Sequence, residues 1–379
     1  MSLTGWAFLT LVAVAALAAF VLLVAVWPSL SGPKPTKIAA RAGLLLMVNV
    51  LVLFMVTTQV NAQFLFVADW KDLQGVLGGR VTATALHRGT SASRAAGTRV
   101  RGKAASAGQQ LPTLPKSATG ELSFTVKGPL SGVTGTVVVK LPPGYTDPAS
   151  ASVRYPVLET FHGYPGQPRQ WLRSMSLADV MAQQVIMRRM RPALIVSPQV
   201  EVPPGVDTEC VNGQQGLPQL ETWLAEDVPN WVTHTFRVET DRRSWATIGL
   251  SAGGWCAAMV AMLHPAQYSA AIVMGGYFRP EFGAAYEPYP PGSPLASRYN
   301  LVSLTRRSPP PVALWLETSH TDSVSYGSSA ALLRAAKPPL AVNATVLRHA
   351  GHRISLWQNL LPGSLTWLGA NISGFRSLK

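Results

Sequence analysis

The pentapeptide Gly249-Leu250-Ser251-Ala252-Gly253 constrains this chain more than any other feature. G-x-S-x-G is the pattern of a nucleophile elbow, where a strand turns sharply into a helix and presents a serine hydroxyl at the tip. The turn needs glycines where a Cβ would clash. The bare pattern is short enough to recur by chance, so its flanks decide. Trp245-Ala246-Thr247-Ile248 before it is an apolar run of buried-strand type, and residues 255–263 after it are apolar and alanine-rich, ending at His264-Pro265. Strand, turn and helix are therefore predicted in the order the motif requires.

The remainder of residues 120–379 repeats that alternation. Residues 122–127, 135–141, 155–161, 193–197, 270–274, 312–316 and 341–347 read as strands. Residues 177–190, 217–236, 328–336 and 354–368 read as helices, with kinks expected at Pro229 and Pro362. Alternating strands and helices predict an α/β fold, a mostly parallel sheet with helices on both faces.

Only 13% of the chain is charged, and the deficit lies at the N-terminus. Residues 5–27 carry no charge and would extend about 34 Å as a helix, enough for a bilayer core. A second apolar run covers residues 38–67, with Arg41 near its start and Asn49 inside it, where its amide can reach the first helix. Two transmembrane helices over residues 1–70 are predicted, against the alternative of two buried core helices. Lys34 and Lys37 sit at the turn between them, with Arg41 just inside the second helix, which puts that turn in the cytoplasm and the C-terminal part outside. Lys71 and Arg80 weigh the other way.

Residues 71–119 read as a basic low-complexity linker. Between Leu73 and Gly120 there is no acidic residue, but there are Arg80, Arg88, Arg94, Arg99, Arg101, Lys103 and Lys116. They account for part of the net charge of +14. Contact with anionic lipid or wall polymers is one expectation and a solvated tether the other. Nucleic acid is excluded as a partner, because no aromatic residue interleaves these charges.

A serine hydroxyl needs a base to take its proton and an acid to fix that base's tautomer. In this fold the order along the chain is serine, acid, histidine. His352, in the loop after the last predicted strand, is the expected base, with His349 second and His320 a surface residue. Asp322 is the expected acid, in the loop after the preceding strand, with Glu317 as competitor. The oxyanion donors are expected to be the backbone N–H groups of Ala252 and Tyr164, the latter in Phe161-His162-Gly163-Tyr164-Pro165-Gly166. His162 is expected to support that loop. Cys210 follows a predicted strand and Cys256 lies one turn into the elbow helix, at the same sheet edge. A disulfide between them is the expectation and two free thiols the alternative. Neither cysteine has partners at metal-ligand spacing, and no metal or cofactor is called for.

Together, Tyr155-Pro156-Val157-Leu158, His162-Gly163, Gly249-Leu250-Ser251-Ala252-Gly253-Gly254, His264-Pro265, Gly351-His352 and Trp357 resemble the α/β-hydrolase family of esterase D and the mycolyltransferases. The resemblance covers about residues 120–368 and implies acyl-ester chemistry through an acyl-enzyme. The N-terminal helices and Asp207-Thr208-Glu209-Cys210 lie outside the family pattern and look like a membrane-anchored actinobacterial subgroup. Three readings follow. The first is an extracytoplasmic esterase anchored in the cell membrane. The second is an acyltransferase serving an envelope glycan or lipid. The third is a non-catalytic scaffold on the same fold.

Overall fold

A computed structural model of the chain describes residues 3–30, 32–78, 83–89, 91, 92, 94, 120–283 and 286–377. The chain divides into two compact units, Met1–Thr82 with His320–Ser323 and Arg348–Arg353 in one, and Ala83–Ser319, Val324–Leu347 and Ile354–Lys379 in the other.

The first unit begins with two helices, α1 (Trp6–Val26) and α2 (Lys34–Phe64). Mean hydropathy reaches 2.9 over Trp6–Ser29 and 2.2 over Lys34–Phe64, and both helices are long enough to cross a membrane. Leu17, Phe20, Leu46 and Leu53 are more than half exposed on them. A core helix of a water-soluble fold would bury such residues. Arg41 stacks its guanidinium 4.8 Å from the Trp27 ring centre at the helix turn. Asn49 Nδ2 donates to Leu45 O in its own helix at 2.9 Å, the way a lone amide is tolerated within a span. That bond satisfies the amide locally.

In the second unit a nine-stranded sheet is ordered β1-β9-β8-β7-β6-β4-β5-β3-β2 among the described residues. Its strands are β1 (Ala83–Gly89), β2 (Glu121–Lys127), β3 (Thr134–Lys140), β4 (Val157–Phe161), β5 (Leu194–Pro198), β6 (Trp245–Leu250), β7 (Ala270–Met274), β8 (Ala313–Ser319) and β9 (Ala341–Leu347). Strands β9, β8, β7, β6, β4 and β5 run parallel; on one side β3 pairs antiparallel with β5 and β2 antiparallel with β3, and on the other β1 pairs antiparallel with β9. Every residue of β4 to β8 is buried, as in a parallel sheet covered on both faces. This is the predicted α/β-hydrolase arrangement.

Two elements fall where the sequence suggested an unstructured linker. Helix α3 covers Trp70–Gly78, and β1 pairs with β9 from Ala83↔Leu347 to Gly89↔Ala341. Leu86 and its described neighbours in β1 are exposed, so the strand is held by its backbone ladder. An edge strand of that kind leaves no hydrophobic pattern to read. Residues 95–119 lie outside the described residues.

Glu159 is wholly buried in β4, with Oε2 accepting from the Tyr268 hydroxyl at 2.5 Å. Its Oε1 has no partner among the described residues. Burial pushes this carboxyl up to about 8, against the hydrogen bond from Tyr268. The folded group keeps its proton to about pH 8, whereas the unfolded one loses it near 4.5. Between those values the folded state holds the extra proton, so stability falls as pH rises. Glu159→Gln is expected to flatten that fall and to melt above the wild type at pH 8, measured by thermal unfolding across the window. A wild-type pH dependence in the variant would contradict the assignment.

Candidate active site

Ser251 sits between β6 and helix α4 (Ala252–Leu263) with φ 54° and ψ −127°. A non-glycine residue holds this conformation only where its surroundings impose it. The Ser251 N–H donates to Met274 O at 2.9 Å, and both neighbouring glycines are required. A Cβ on Gly249 would strike the Gly253 carbonyl, and one on Gly253 would strike the carbonyls of Phe161 and His162. Backbone cannot move aside cheaply, so Gly253→Ala is expected to cost at least about 3 kcal/mol. Thermal unfolding checks this, and an unchanged midpoint would contradict it.

The loop after β4 is held by side chains. Gln170 Oε1 accepts from Gly163 N–H at 3.1 Å, and Glu201 Oε1 from Gly166 N–H at 2.6 Å. His162 is buried, with Nδ1 at 2.8 Å from Gly163 O and Nε2 at 3.3 Å from Val200 N. These partners assign the neutral Nδ1–H tautomer. Burial holds its pKa down to about 4, against the pull of the Gly163 carbonyl. His162 therefore supports the loop and is no general base at neutral pH. The N–H groups of Tyr164 and Ala252, both in this unit, have no hydrogen-bond acceptor among the described residues. They are the donors the sequence singled out for an oxyanion.

Behind Ser251, Cys256 is bonded to Cys210 (S–S 2.02 Å), so the expected disulfide is present. Glu209 and Cys210 both have positive φ, 49° and 56°. Trp255 Nε1 donates to Glu209 O at 2.7 Å, and the Tyr277 hydroxyl donates to Glu209 Oε1 at 2.5 Å. Burial first, and then Asp207 nearby, drives the Glu209 carboxyl well above its usual range. This segment thus braces the elbow helix, through the expected Cys210 disulfide and through Glu209, whose role the sequence did not show. At its far end His264 Nε2 lies 2.7 Å from Glu221 Oε1. Glu221 also takes bonds from Arg298 and Tyr299. Burial opposes ionisation of Glu221, but these three partners outweigh it and hold the carboxyl at about 2.

In the first unit His352 Nδ1 lies 3.0 Å from Asp322 Oδ2. Asp322 is 3% exposed. Thr321 Oγ1 donates to Ala350 O and accepts from Ala350 N–H, both at 3.1 Å, which ties the two loops together. With Nδ1–H donated to the carboxylate, Nε2 is the basic nitrogen of the ring. The competitors are engaged elsewhere. Glu317, on β8, accepts from Trp357 Nε1 at 3.0 Å, and His349 Nδ1 meets Asp69 Oδ2 at 2.8 Å. His320 is exposed.

Comparison with known proteins agrees with this architecture. Residues 132–367 match the Esterase family, described as "Putative esterase". An uncharacterized protein of Corynebacterium glutamicum is 31% identical over 182 residues, 45% of this chain and 41% of that protein. The chain thus spans less than half the length of that curated relative. Among solved structures, S-formylglutathione hydrolase from Agrobacterium tumefaciens superposes with a TM-score of 0.56 at 15% identity, over 68% of this chain and 98% of that one. A ferulic acid esterase gives a TM-score of 0.54 at 20% identity, over 65% and 96%. The fluorophosphonate-binding serine hydrolase FphF of Staphylococcus aureus gives 0.51 at 14%, over 65% and 97%. These three likenesses bear on the fold, and the family match over most of the chain bears on its class. The chain belongs to the "Putative esterase" family of hydrolases on the α/β-hydrolase fold.

Proposed function

We propose that this chain is a membrane-anchored serine esterase that cleaves carboxylic esters through an acyl-enzyme. Ser251 Oγ attacks the ester carbonyl while His352 Nε2 takes its proton, and Asp322 holds the imidazole and offsets its charge. The oxyanion is received by the N–H groups of Ala252 and Tyr164. The ester C–O bond then breaks, and His352 returns the proton to the leaving alkoxide. Water, deprotonated by His352, attacks the acyl-enzyme and releases the acid with Ser251 restored. The observation that carries this reading is the His352–Asp322 pair at 3.0 Å, on loops that follow β8 and β9, in a chain that also builds the strained Ser251 elbow.

The apolar, exposed surfaces of α1 and α2 support an anchor of two spans. The Cys210–Cys256 disulfide supports placing the hydrolase on the oxidising, outer side of the membrane, in agreement with the basic residues Lys34, Lys37 and Arg41 in the first turns of α2. Transfer of the acyl group to a glycan or lipid hydroxyl would use the same intermediate, with that hydroxyl replacing water.

Full-length protein in detergent micelles is expected to hydrolyse p-nitrophenyl esters, and Ser251→Ala to lose that turnover. Adding a sugar or glycerolipid acceptor separates the two fates of the acyl group. Constant free acid with rising acceptor supports hydrolysis, and diversion into a new ester supports transfer. No turnover by folded protein would favour the scaffold reading.

A further inference from the structure

The turn between α2 and α3 is built from its own polar groups. Leu65 takes φ 54° and closes α2 with its N–H on Asn61 O at 2.8 Å. The Asn61 side chain brackets Val67, donating to its carbonyl at 2.9 Å and accepting its N–H at 2.7 Å. Asp72 Oδ2 accepts from Ala68 N–H at 2.9 Å, and Asp69 Oδ1 from Asp72 N–H at 2.8 Å. A turn braced this way can act as a fixed support.

That support meets the loop Arg348–Arg353, which belongs to the same unit. Leu65 O accepts the backbone N–H of His352 at 2.7 Å. Arg353 Nη1 donates to Phe66 O at 3.0 Å and to Asp72 Oδ2 at 2.8 Å. The Asp72 side chain is 2% exposed and that of Arg353 12%, so this ion pair is largely out of water. His349 Nδ1 meets Asp69 Oδ2 at 2.8 Å. Burial of Asp69 is outweighed by its bonds from Asp72 N–H and His349, which hold the carboxyl below its usual range. A Cβ on Gly351 would strike the carbonyls of Leu65 and Phe66, so the approach requires glycine there. The loop is thus gripped at residues 349, 351, 352 and 353. Asp322 fixes the His352 ring, and Leu65 fixes its backbone.

We propose that residues 65–72 are a positioning element for His352, so that the end of the membrane anchor sets the geometry of the catalytic base. Arg353, Asp72 and Asp69 are positioning residues and touch no reacting atom. The proposal rests on the Ser251–His352–Asp322 reading. It makes the anchor a part of the enzyme and not only a tether, because a hydrolase cut away above residue 65–72 would keep its sheet and lose the support of its base.

The test uses full-length protein in detergent micelles, with active sites counted by fluorophosphonate reacted to completion. Turnover of a p-nitrophenyl ester is then expressed per counted site, which removes any loss of folded protein. Arg353→Gln and Asp72→Asn are each expected to lower kcat about tenfold or more with KM within about twofold, since an ill-placed base harms the chemical step. The double variant is expected to fall no further than the worse single one, since both break one interaction. Arg353→Lys is expected to recover a large part of the loss. Should Arg353→Gln and Asp72→Asn fail to fold, Asp69→Asn at the more exposed pair keeps the test open, with an expected loss of about threefold in kcat. Asp322→Asn is measured beside them. If it slows turnover while the support variants keep the wild-type kcat per site, the positioning role is overturned and the triad stands. If Asp322→Asn has no effect, the triad reading fails first.

Discussion

His352→Ala is expected to lower kcat/KM for a p-nitrophenyl ester by about 10⁴-fold or more, with the protein folded and its melting point little changed. The reasoning is chemical. Ser251 Oγ carries a proton at neutral pH, and within the proposed triad only a neutral imidazole can take it. His162 cannot substitute, because both its ring nitrogens are committed to Gly163 and Val200 inside the protein. Asp322→Asn is expected to cost nearly as much. An amide can donate to Nδ1 and so favours the tautomer that leaves no lone pair on Nε2. His320→Ala, at an exposed position, is expected to stay within about twofold of the wild type. Steady-state kinetics on the four proteins check the set. A His352→Ala enzyme with a small loss, or an inactive His320→Ala, would overturn the assignment of the base.

Removing the Cys210–Cys256 disulfide is the largest stability effect expected. The bond closes a loop of sequence separation 46, for which loss of unfolded-state entropy predicts about 4 kcal/mol. In a domain of this size that corresponds to a fall of about 8 °C in Tm. Native-state relaxation offsets a part of it, because Glu209 and Cys210 hold left-handed backbone next to the bond. Once released, that segment can relax and give up the Trp255–Glu209 hydrogen bond. The variant Cys210→Ser/Cys256→Ser, and the wild type in reductant, are expected to melt alike and below the oxidised protein. A melting point insensitive to both would contradict a structural role for the bond.

The parts of the fold that sequence discloses are those buried on both sides. Strands β4 to β8 are continuous apolar runs because both their faces are covered, and the elbow stands out because its glycines answer a backbone collision. The pairing of Asp322 with His352 follows from chain order and from the loops that β8 and β9 emit. Other features are invisible for definite reasons. Strand β1 is held by its backbone ladder to β9, with exposed side chains, so composition alone suggests a tether. The short helices Pro294–Arg298 and Leu301–Arg307 are one or two turns long, too brief for periodicity to show. The predicted helix over 217–236 is broken by a π-helical stretch at Trp223–Asp227, just before Pro229. Proline has no N–H to donate, so the preceding turn is free to widen. The predicted helix at 354–368 instead runs through Pro362 to Asn371. The support of the His352 loop by residues 65–72 joins segments some 280 positions apart, such as Asp72 and Arg353 at a separation of 281. No local pattern reports a contact of that range.

The most direct test of the central claim is to treat full-length protein with a fluorophosphonate and locate the adduct by mass spectrometry. The account predicts one adduct, on Ser251, absent from Ser251→Ala and formed far more slowly in His352→Ala. Folded protein that takes up no probe, or an adduct on a different residue, would contradict it.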